Sequence, residues 1–340
     1  MRWDDVNARA RGLATHLLSR NALAALAAAS DWPAFLGRVS LLDYPLDSGA
    51  GAFVDPTAFD RAVTLVAANR FNLLGRWLAD RRAVLAVVME DEERRTLRTL
   101  LRGVAQGASP GTRLRAVMPT PALPHRVLDR LARTTTVADL ARELVRCGHP
   151  AGRVLEQLAA RSPPPSLRDF DWALARLFSE RAVRAARAGG SVVRRFAAEL
   201  VDQENLWTLL LAAPPTAGET MEHEYLPGGV VLTRDAFTRL RAERDAERLT
   251  AELRRHFAGT AIGAALTQEP VEWPSLEARI AAARVVWLRG LARPDPLGPA
   301  VVLAVLERIR AEARALRAIA WGIALGAPTP TLASVMPEAT

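Results

Sequence analysis

Few side chains in this sequence combine the type and the spacing that chemistry at a protein site requires. The five histidines are scattered, and only Cys147-x-His149 and Glu222-His223-Glu224 group potential metal ligands. A structural zinc site takes four ligands, and neither grouping has a second pair. We therefore expect no metal site. No Ser-His-Asp or Cys-His arrangement for nucleophilic catalysis stands out either.

Phosphate-binding loops are equally poorly represented. All 45 basic residues are arginine, and the Walker loop requires a lysine. No dinucleotide-binding glycine fingerprint follows a plausible strand. Gly228-Gly229 lies just ahead of a helix start at Thr233 and could hold an anion, although such a pair more often forms a plain turn. We expect no bound cofactor and no catalytic residue.

The acidic cluster Asp91-Glu92-Glu93 has two interpretations. Acid clusters on helices bind magnesium in all-α isoprenoid-type enzymes, where the carboxylates face a diphosphate together. Here Arg94 and Arg95 follow directly, and acids and bases three or four residues apart pair on a helix surface. Ion pairing on the helix surface is the favoured interpretation.

The sharpest signal is an acid–leucine pattern that occurs three times. Its first and second members step by 109 residues, from Thr96 to Asn205, and the third follows 110 residues later, at Ala315. Residues four apart share a helix face, so the leucines are predicted in a core stripe. The acid and the residue three positions on lie at its margin, where they bond a neighbouring helix or a partner, or serve only in packing. The pattern comprises Glu93, Thr96, Leu97; Asp202, Asn205, Leu206; and Glu312, Ala315, Leu316.

A second pattern recurs with nearly the same period at a predicted helix start. Two independent patterns with one period indicate triplication, and a period far above the roughly 20–50 residues of a solenoid repeat predicts three small domains. The pattern reads Leu18, Ala22, Leu23, Leu26; then Leu123, Val127, Leu128, Leu131; then Leu232, Ala236, Phe237, Leu240.

Periodicity and helix signals place these patterns on helices throughout. Asp31 can cap a helix with Pro33 in its first turn, and Thr134–Thr136 offers the same in the second copy. Amphipathic stretches follow at Phe170–Arg187 and Leu276–Arg289. Proline and glycine interrupt the chain at 107–124 and 213–229. We predict an all-α protein with domains at 1–117, 118–219 and 220–340.

Composition limits the classes of function. Half of the residues are apolar, the net charge is +8, and the arginines are spread along the chain without interleaved aromatics, which argues against nucleic-acid binding by base stacking. The single cysteine, Cys147, fits a reducing compartment. No signal peptide is visible, and the longest apolar runs fall short of the ~20 residues that span a bilayer. We expect a soluble or peripheral protein.

The sequence resembles the C subunit of the A/V-type rotary ATPases, the homologue of the d subunit of the eukaryotic V-ATPase. The resemblance extends over nearly the whole chain in the family's order. It departs from the family at Ala315-Leu316-Arg317, where the third copy usually has Asn-Leu-Arg, and at Thr96 in the first copy. The stretches that carry it are Asn7–Arg11, Leu200–Leu206, Tyr225–Gly229, Pro294–Gly298 and the arginine-rich helix that ends at Gly326.

The resemblance implies three helical domains around a pseudo-threefold axis, forming a funnel. It implies a central-stalk socket that receives the rotating shaft on one side and sits on the membrane proteolipid ring on the other, at the cytoplasmic face of the membrane. Such a protein transmits torque for coupled ion transport or ATP synthesis without chemistry of its own, and has no small-molecule substrate and no nucleic-acid partner. The alternatives are a magnesium-dependent isoprenoid-type enzyme and a helical scaffold unrelated to a motor.

Charge complementarity suits a partner interface, because it gives correct register and fast association more than raw affinity. The acid–leucine helices of the first and third copies carry many arginines, while the second offers a tryptophan. We predict that some of these face the shaft or the ring, although they could equally only solubilise outer helix faces. The candidates are Arg94, Arg95, Arg98, Arg102, Trp207, Arg310, Arg314 and Arg317.

Overall fold

A computed structural model describes residues 3–42, 44–46, 53, 55–115, 117–211, 224–267 and 273–334. All regular secondary structure in these residues is helical, which confirms the predicted all-α class. The α-helices are α1 Asp4–Thr15, α2 Arg20–Ala27, α3 Trp32–Ser40, α4 Pro56–Leu78, α5 Ala83–Ala105, α6 Pro110–Arg113, α7 His125–Ala132, α8 Val137–Arg146, α9 Pro150–Ala159, α10 Leu167–Ala186, α11 Gly190–Leu211, α12 Arg234–Ala242, α13 Ala246–His256, α14 Ala261–Leu266, α15 Trp273–Ala292, α16 Pro299–Ala324 and α17 Thr329–Ser334.

The helix starts follow the side chains that the sequence offers for them. The Asp31 carboxylate accepts the N–H of Ala34, and Pro33 lies in the first turn of α3. Thr136 and Thr233 cap α8 and α12 in the same way. A capping side chain satisfies one of the backbone donors that have no partner inside the helix.

The described chain divides into two compact units. One comprises 1–80 with 247–340, and the other comprises 81–246. Neither unit coincides with one sequence copy. Unit 81–246 contains α5, the acid–leucine helix of the first copy, and unit 1–80 with 247–340 contains α16, the acid–leucine helix of the third.

The core of unit 81–246 joins α5 to the helices that follow it. Leu97, Leu100 and Leu101 of α5 are buried together with Leu123 and Leu128, which belong to the helix-start pattern of the second copy. Helices α8, α9 and α10 complete this core, and α10 packs along α5. The acid–leucine helix of the first copy therefore packs on the first helices of the second.

The core of the other unit repeats this design. Leu316 and Ile319 of α16 are buried together with Leu23 and Leu26 of α2, and α3 and α4 complete the cluster. Here the acid–leucine helix of the third copy packs on the first helices of the first copy. Each core contains helices from two sequence copies. The boundaries of the two compact units therefore do not coincide with the boundaries of the copies.

Candidate functional site

Asp202 of α11 accepts three backbone N–H groups from the segment that leads into α12. Its Oδ2 lies 2.9 Å from the nitrogen of Val230 and 3.0 Å from that of Val231, and its Oδ1 lies 3.2 Å from that of Leu232. A Cβ at Gly229 would collide with this carboxylate, so glycine permits the close approach. The segment after Gly228-Gly229 does bind an anion, and that anion is the chain's own Asp202.

Burial dominates the electrostatics of Asp202. The residue is 1% exposed, and burial raises the pKa of its carboxyl group, while the three backbone donors lower that pKa by less. The groups that lower the pKa of Asp202 are backbone N–H groups, not arginines. The backbone donors are therefore the principal compensation for placing the charge in the interior.

Asn205 holds the same segment one helical turn further on. Its Nδ2 donates to the carbonyl oxygen of Leu226 at 2.9 Å, and its Oδ1 accepts the N–H of Leu226 at the same distance. The side chain is fully buried. Both members of the second acid–leucine pattern therefore bind backbone at the start of the third copy.

Glu93 of α5 reaches the start of the second copy through a hydroxyl group. Thr120 Oγ1 donates to Glu93 Oε1 at 3.0 Å and accepts the N–H of Leu123 at 3.1 Å. The other carboxylate oxygen lies 3.3 Å from His149 Nε2, while His149 Nδ1 accepts the N–H of Ala151. Because Nδ1 is an acceptor there, the Nε2–H of this buried histidine faces Glu93.

Glu312 of α16 binds the start of the first copy. Its Oε2 accepts the N–H of Leu18 at 2.6 Å, and its Oε1 forms an ion pair with Arg70 of α4. Arg70 also donates to the carbonyl oxygen of His16 at 3.2 Å. The acid and the arginine together hold the turn between α1 and α2.

The three acids thus make equivalent contacts. Asp202 binds Leu232, Glu93 binds Leu123 through Thr120, and Glu312 binds Leu18. These three leucines are the first residues of the three helix-start patterns. Each acid holds the copy that follows it, and the third acid holds the first copy, so the contacts close a cycle in the order of the sequence. We call these contacts the Asp202, Glu93 and Glu312 junctions.

Thr96 and Ala315 occupy the position of the acid–leucine pattern that Asn205 occupies in the second copy. Thr96 and Ala315 are 2% and 1% exposed. The acids themselves are 7% exposed at most, so the acid and its partner position lie inside the core rather than at its margin. Leu97, Leu206 and Leu316 are buried as the stripe predicts.

The arginines of α5 form ion pairs within unit 81–246. Arg94 pairs with Asp91 at 2.7 Å and with Glu204 of α11 at 3.0 Å, and it is only 4% exposed. Arg95 also pairs with Asp91, at 3.0 Å. The predicted pairing of the acidic cluster with these arginines is present, but Asp91 is buried rather than at the helix surface.

The next two arginines of α5 pair with acids of α10 and α11. Arg98 pairs with Glu204 at 3.0 Å and with Asp171 of α10 at 3.5 Å, and Arg102 pairs with Asp171 at 2.7 Å. The side chain of Arg102 is 52% exposed, the largest fraction among these four arginines.

The arginines of α16 surround a buried carboxylate. Arg310 pairs with Glu307 at 2.7 Å, and Arg284 of α15 lies 3.4 Å from the same residue. Burial by itself would raise the pKa of Glu307, but the charges of Arg310, Arg284 and Arg314 together outweigh it and lower that pKa. This group is held ionised by its neighbours.

The two remaining candidates have separate surroundings. Arg317 forms an ion pair with the buried Asp60 of α4. Trp207 is half-buried on α11, one residue after the leucine of its pattern. The structure therefore gives the candidate arginines contacts within their own units.

The two groupings of potential metal ligands in the sequence are Cys147-x-His149 and Glu222-His223-Glu224. Glu222 and His223 lie outside the described residues, and Cys147 Sγ donates to the carbonyl oxygen of Leu144 at 3.2 Å. His149 caps α9 and binds Glu93. Within the described residues, no three His, Cys, Asp or Glu side chains come together as a metal site.

Three residues of the junctions do not stand out in the sequence. Arg70 belongs to no repeated pattern, and Thr120 lies in the proline-rich stretch that otherwise indicates only a connection. His149 is marked only as a neighbour of Cys147. A search for polar residues shortly before each helix-start pattern would have found Thr120, but nothing in the sequence connects Arg70 with Glu312, 242 residues away.

Fold and junctions together define an all-α protein in which buried acids on long helices bind the backbone of distant segments. In the described residues, no helix has both the length and the apolar character needed to cross a membrane. The family model of the ATP synthase (C/AC39) subunit matches residues 6–332, and the chain belongs to this family. A similar protein, the C subunit of the V-type ATP synthase of Deinococcus radiodurans, is 26% identical over 338 residues, which cover 95% of this chain and 88% of the relative.

Proposed function

We propose that this chain is the non-catalytic central-stalk socket of an A/V-type rotary ATPase or ATP synthase. It links the rotating shaft to the membrane proteolipid ring and transmits torque for coupled ion transport. The observation that carries the proposal is the family match over residues 6–332. The work of the chain is mechanical, at the cytoplasmic face of the membrane, without a cofactor or a small-molecule substrate.

The junctions support a mechanical role. A protein that transmits torque must resist separation of its parts, and interiors packed like these are nearly incompressible. Each junction adds a charged or amide acceptor to that packing, and hydrogen bonds to charged groups contribute more than neutral ones. We propose that three domains, at 1–117, 118–219 and 220–340, surround a pseudo-threefold axis as a funnel, with the junctions tying each domain to the next.

The test is reconstitution with the partners. The purified chain is mixed with shaft subunits and with the proteolipid ring in detergent, and complexes are separated by size. We expect the chain to bind both and to be required for ATP-driven ion uptake by reconstituted vesicles. Full coupling in vesicles that lack the chain, or saturable ATP hydrolysis by the chain alone, would contradict the proposal.

The partner interface is proposed on the exposed members of the arginine set. Reversal of Arg94 or Arg310 would break a buried ion pair and disturb folding, so it cannot isolate a partner contact. Arg95 and Arg102 are 31% and 52% exposed at the side chain. Neutralisation of Arg95 leaves the buried Asp91 paired with Arg94, so it avoids placing a second carboxylate there. We expect Arg95→Gln with Arg102→Gln to weaken attachment to the shaft or ring most strongly at low salt, because exposed charges are screened at high salt.

A matched control separates this effect from net charge. Arg133 lies at the surface of the same unit, next to the end of α7. Arg133→Gln paired with Arg126→Gln changes the charge by the same amount. Equal loss of attachment in the two double variants would show that no specific contact exists at Arg95 and Arg102.

A further inference from the structure

A cavity of about 480 Å³ opens in unit 1–80 with 247–340, beside the turn between α1 and α2. Helices α15 and α16 form its other walls. Its size is that of a small-molecule site. Its charged lining residues are three arginines and one carboxylate, Arg20, Arg289, Arg308 and Glu312.

The carboxylate of this cavity is already engaged. Glu312 binds the N–H of Leu18 and pairs with Arg70, as described above. It is therefore neutralised by a cation outside the cavity lining. The remaining three arginines leave the cavity with an excess of positive charge.

Two of these arginines are half-buried and close enough to repel each other. Arg289 lies on α15 and Arg308 on α16, and within the described part of the chain neither forms a hydrogen bond or an ion pair through its side chain. Burial first, and then the charge of Arg289, lowers the pKa of Arg308, while Glu312 raises it. The one carboxylate in the described lining, Glu312, is already paired with Arg70. Two adjacent guanidinium groups beside a carboxylate that is engaged elsewhere are a costly arrangement for packing alone, because like charges repel and burial penalises charge.

The other walls suit an organic group beside an anion. Val285 lines the cavity from α15, and Val286 next to it is 53% exposed. The N-terminal turn of α2, with Asn21, faces the same space, and helix N-termini favour negative charge. Apolar side chains on one side and cations on the other are typical of a site for a small amphiphilic anion.

We propose that this cavity binds a phosphate ester, with the guanidinium groups of Arg289 and Arg308 holding the phosphate and Val285 and Val286 contacting its organic part. A phosphate dianion carries the charge that cancels both arginines, and its oxygens match the planar fork of a guanidinium group. The phosphate comes either from a soluble ester or from the headgroup of an anionic phospholipid. This inference does not depend on the proposed function.

The experiment measures binding of glycerol 3-phosphate to the full chain by titration calorimetry. Saturable binding is expected, and Arg308→Gln and Arg289→Gln should each weaken it by about tenfold or more, because each removes a charge-assisted contact. Arg308→Lys keeps the charge but not the fork and should weaken it less. Arg133→Gln, at the surface of the other unit, should bind as the wild type does.

Thermal unfolding without ligand separates a binding role from a structural one. Removal of one of two repelling charges should leave the midpoint of Arg308→Gln at or above that of the wild type. A structural arginine would lower it. A lower midpoint in Arg308→Gln together with wild-type affinity in Arg308→Lys would overturn the inference.

A second arm identifies the source of the phosphate. The chain is sedimented with vesicles of phosphatidylglycerol or, as a control, phosphatidylcholine. Binding of glycerol 3-phosphate with no Arg308-dependent sedimentation indicates a soluble ester, and Arg308-dependent sedimentation with phosphatidylglycerol indicates a lipid headgroup. Absence of both, or equal behaviour of Arg308→Gln and the wild type in both, refutes the site.

Discussion

The Asp202 and Glu312 junctions hold equivalent segments by different chemistry. Asp202 accepts hydrogen bonds from three backbone N–H groups, and these groups, not an arginine, lower its pKa. Glu312 accepts one N–H group, from Leu18, and places its other oxygen against Arg70. The Asp202 carboxylate is therefore stabilised by the dipoles of backbone N–H groups. The Glu312 carboxylate is stabilised by one N–H dipole and by the positive charge of Arg70.

This difference indicates which feature of the repeat is essential. The acid and the segment it binds recur, while the remaining partners vary between copies. At the Glu93 junction a threonine hydroxyl stands between the acid and the backbone. What the three junctions share is a buried carboxylate that accepts a hydrogen bond from the segment that begins the next pattern. Because the remaining partners differ, each junction should be sensitive to a different substitution.

Glu312→Gln should give the largest loss of stability. It leaves the 6%-exposed Arg70 without its counterion, and breaking a buried ion pair by removing one partner costs about 3–5 kcal/mol. The free energy of unfolding is measured by urea titration. Glu312→Leu with Arg70→Met, which removes both charges, should recover much of this loss. A double variant as unstable as the single one would show that the unpaired charge is not the cause.

Asp202→Ala should follow, with a loss of about 2–4 kcal/mol, because three backbone donors lose their acceptor. Asp202→Asn keeps one acceptor oxygen and carries no charge to desolvate, so its loss should be smaller. Gly229→Ala, which places a methyl group against the carboxylate, should act in the same direction. Asp235→Ala, on the exposed first turn of α12, is the control and should stay near the wild type. Equal losses for Asp202→Asn and Glu312→Gln would remove the distinction between the two junctions.

The sequence predicts those features of the fold that depend on residues close together in the chain. Asp31, Thr136 and Thr233 cap the helices that their sequence context predicts, because a cap depends on residues within one turn. The burial of the leucine stripe follows from helical periodicity in the same way. These features need no knowledge of what packs against the helix.

The junctions were accessible only in part. The repeated acids marked the right residues, but a carboxylate at the edge of an apolar stripe is ordinarily a surface group. Their burial depends on donors supplied by distant segments, as with Leu18 and Glu312, which are 294 residues apart. Arg70 enters through the same long-range packing, so neither its role nor the use of Thr120 as an intermediate could be predicted locally.

Thr120→Val tests the Glu93 junction and should cost about 1–2 kcal/mol. It removes the hydroxyl group that joins Glu93 to the N–H of Leu123, and leaves two buried polar groups with fewer partners. Thr120→Ser keeps the hydroxyl and is the matched control. If urea titration finds the two variants equally stable, the hydroxyl does not connect the copies.

The smallest expected effect is a difference in pH dependence between two buried carboxylates. The pKa of Asp202 is raised, so its contribution to stability is present below its ordinary value of 3.8 and is lost as pH rises through the folded value. The pKa of Glu307 is lowered, so its contribution is present above its ordinary value of 4.5 and is lost as pH falls through the folded value.

Urea titrations between pH 3.5 and 7 on the wild type, Asp202→Asn and Glu307→Gln measure this difference. A pKa that differs by one between the folded and unfolded states changes the free energy of unfolding by about 1.4 kcal/mol. The stability of the wild type relative to Asp202→Asn should decrease as pH rises through this range. Relative to Glu307→Gln, the stability of the wild type should increase with pH at the lower end of this range, near and below pH 4.5, and stay constant above it. Slopes of the same sign would contradict the electrostatic account of these two sites.

The most direct measurement of the cycle of junctions is hydrogen exchange resolved along the chain. The central claim is that each acid holds the start of the copy that follows, and that the third acid holds the first copy. Glu312→Gln should accelerate amide exchange at residues 15–26 and leave 226–240 at the wild-type rate, while Asp202→Ala should do the reverse. Wild-type exchange at 15–26 in Glu312→Gln would contradict the claim.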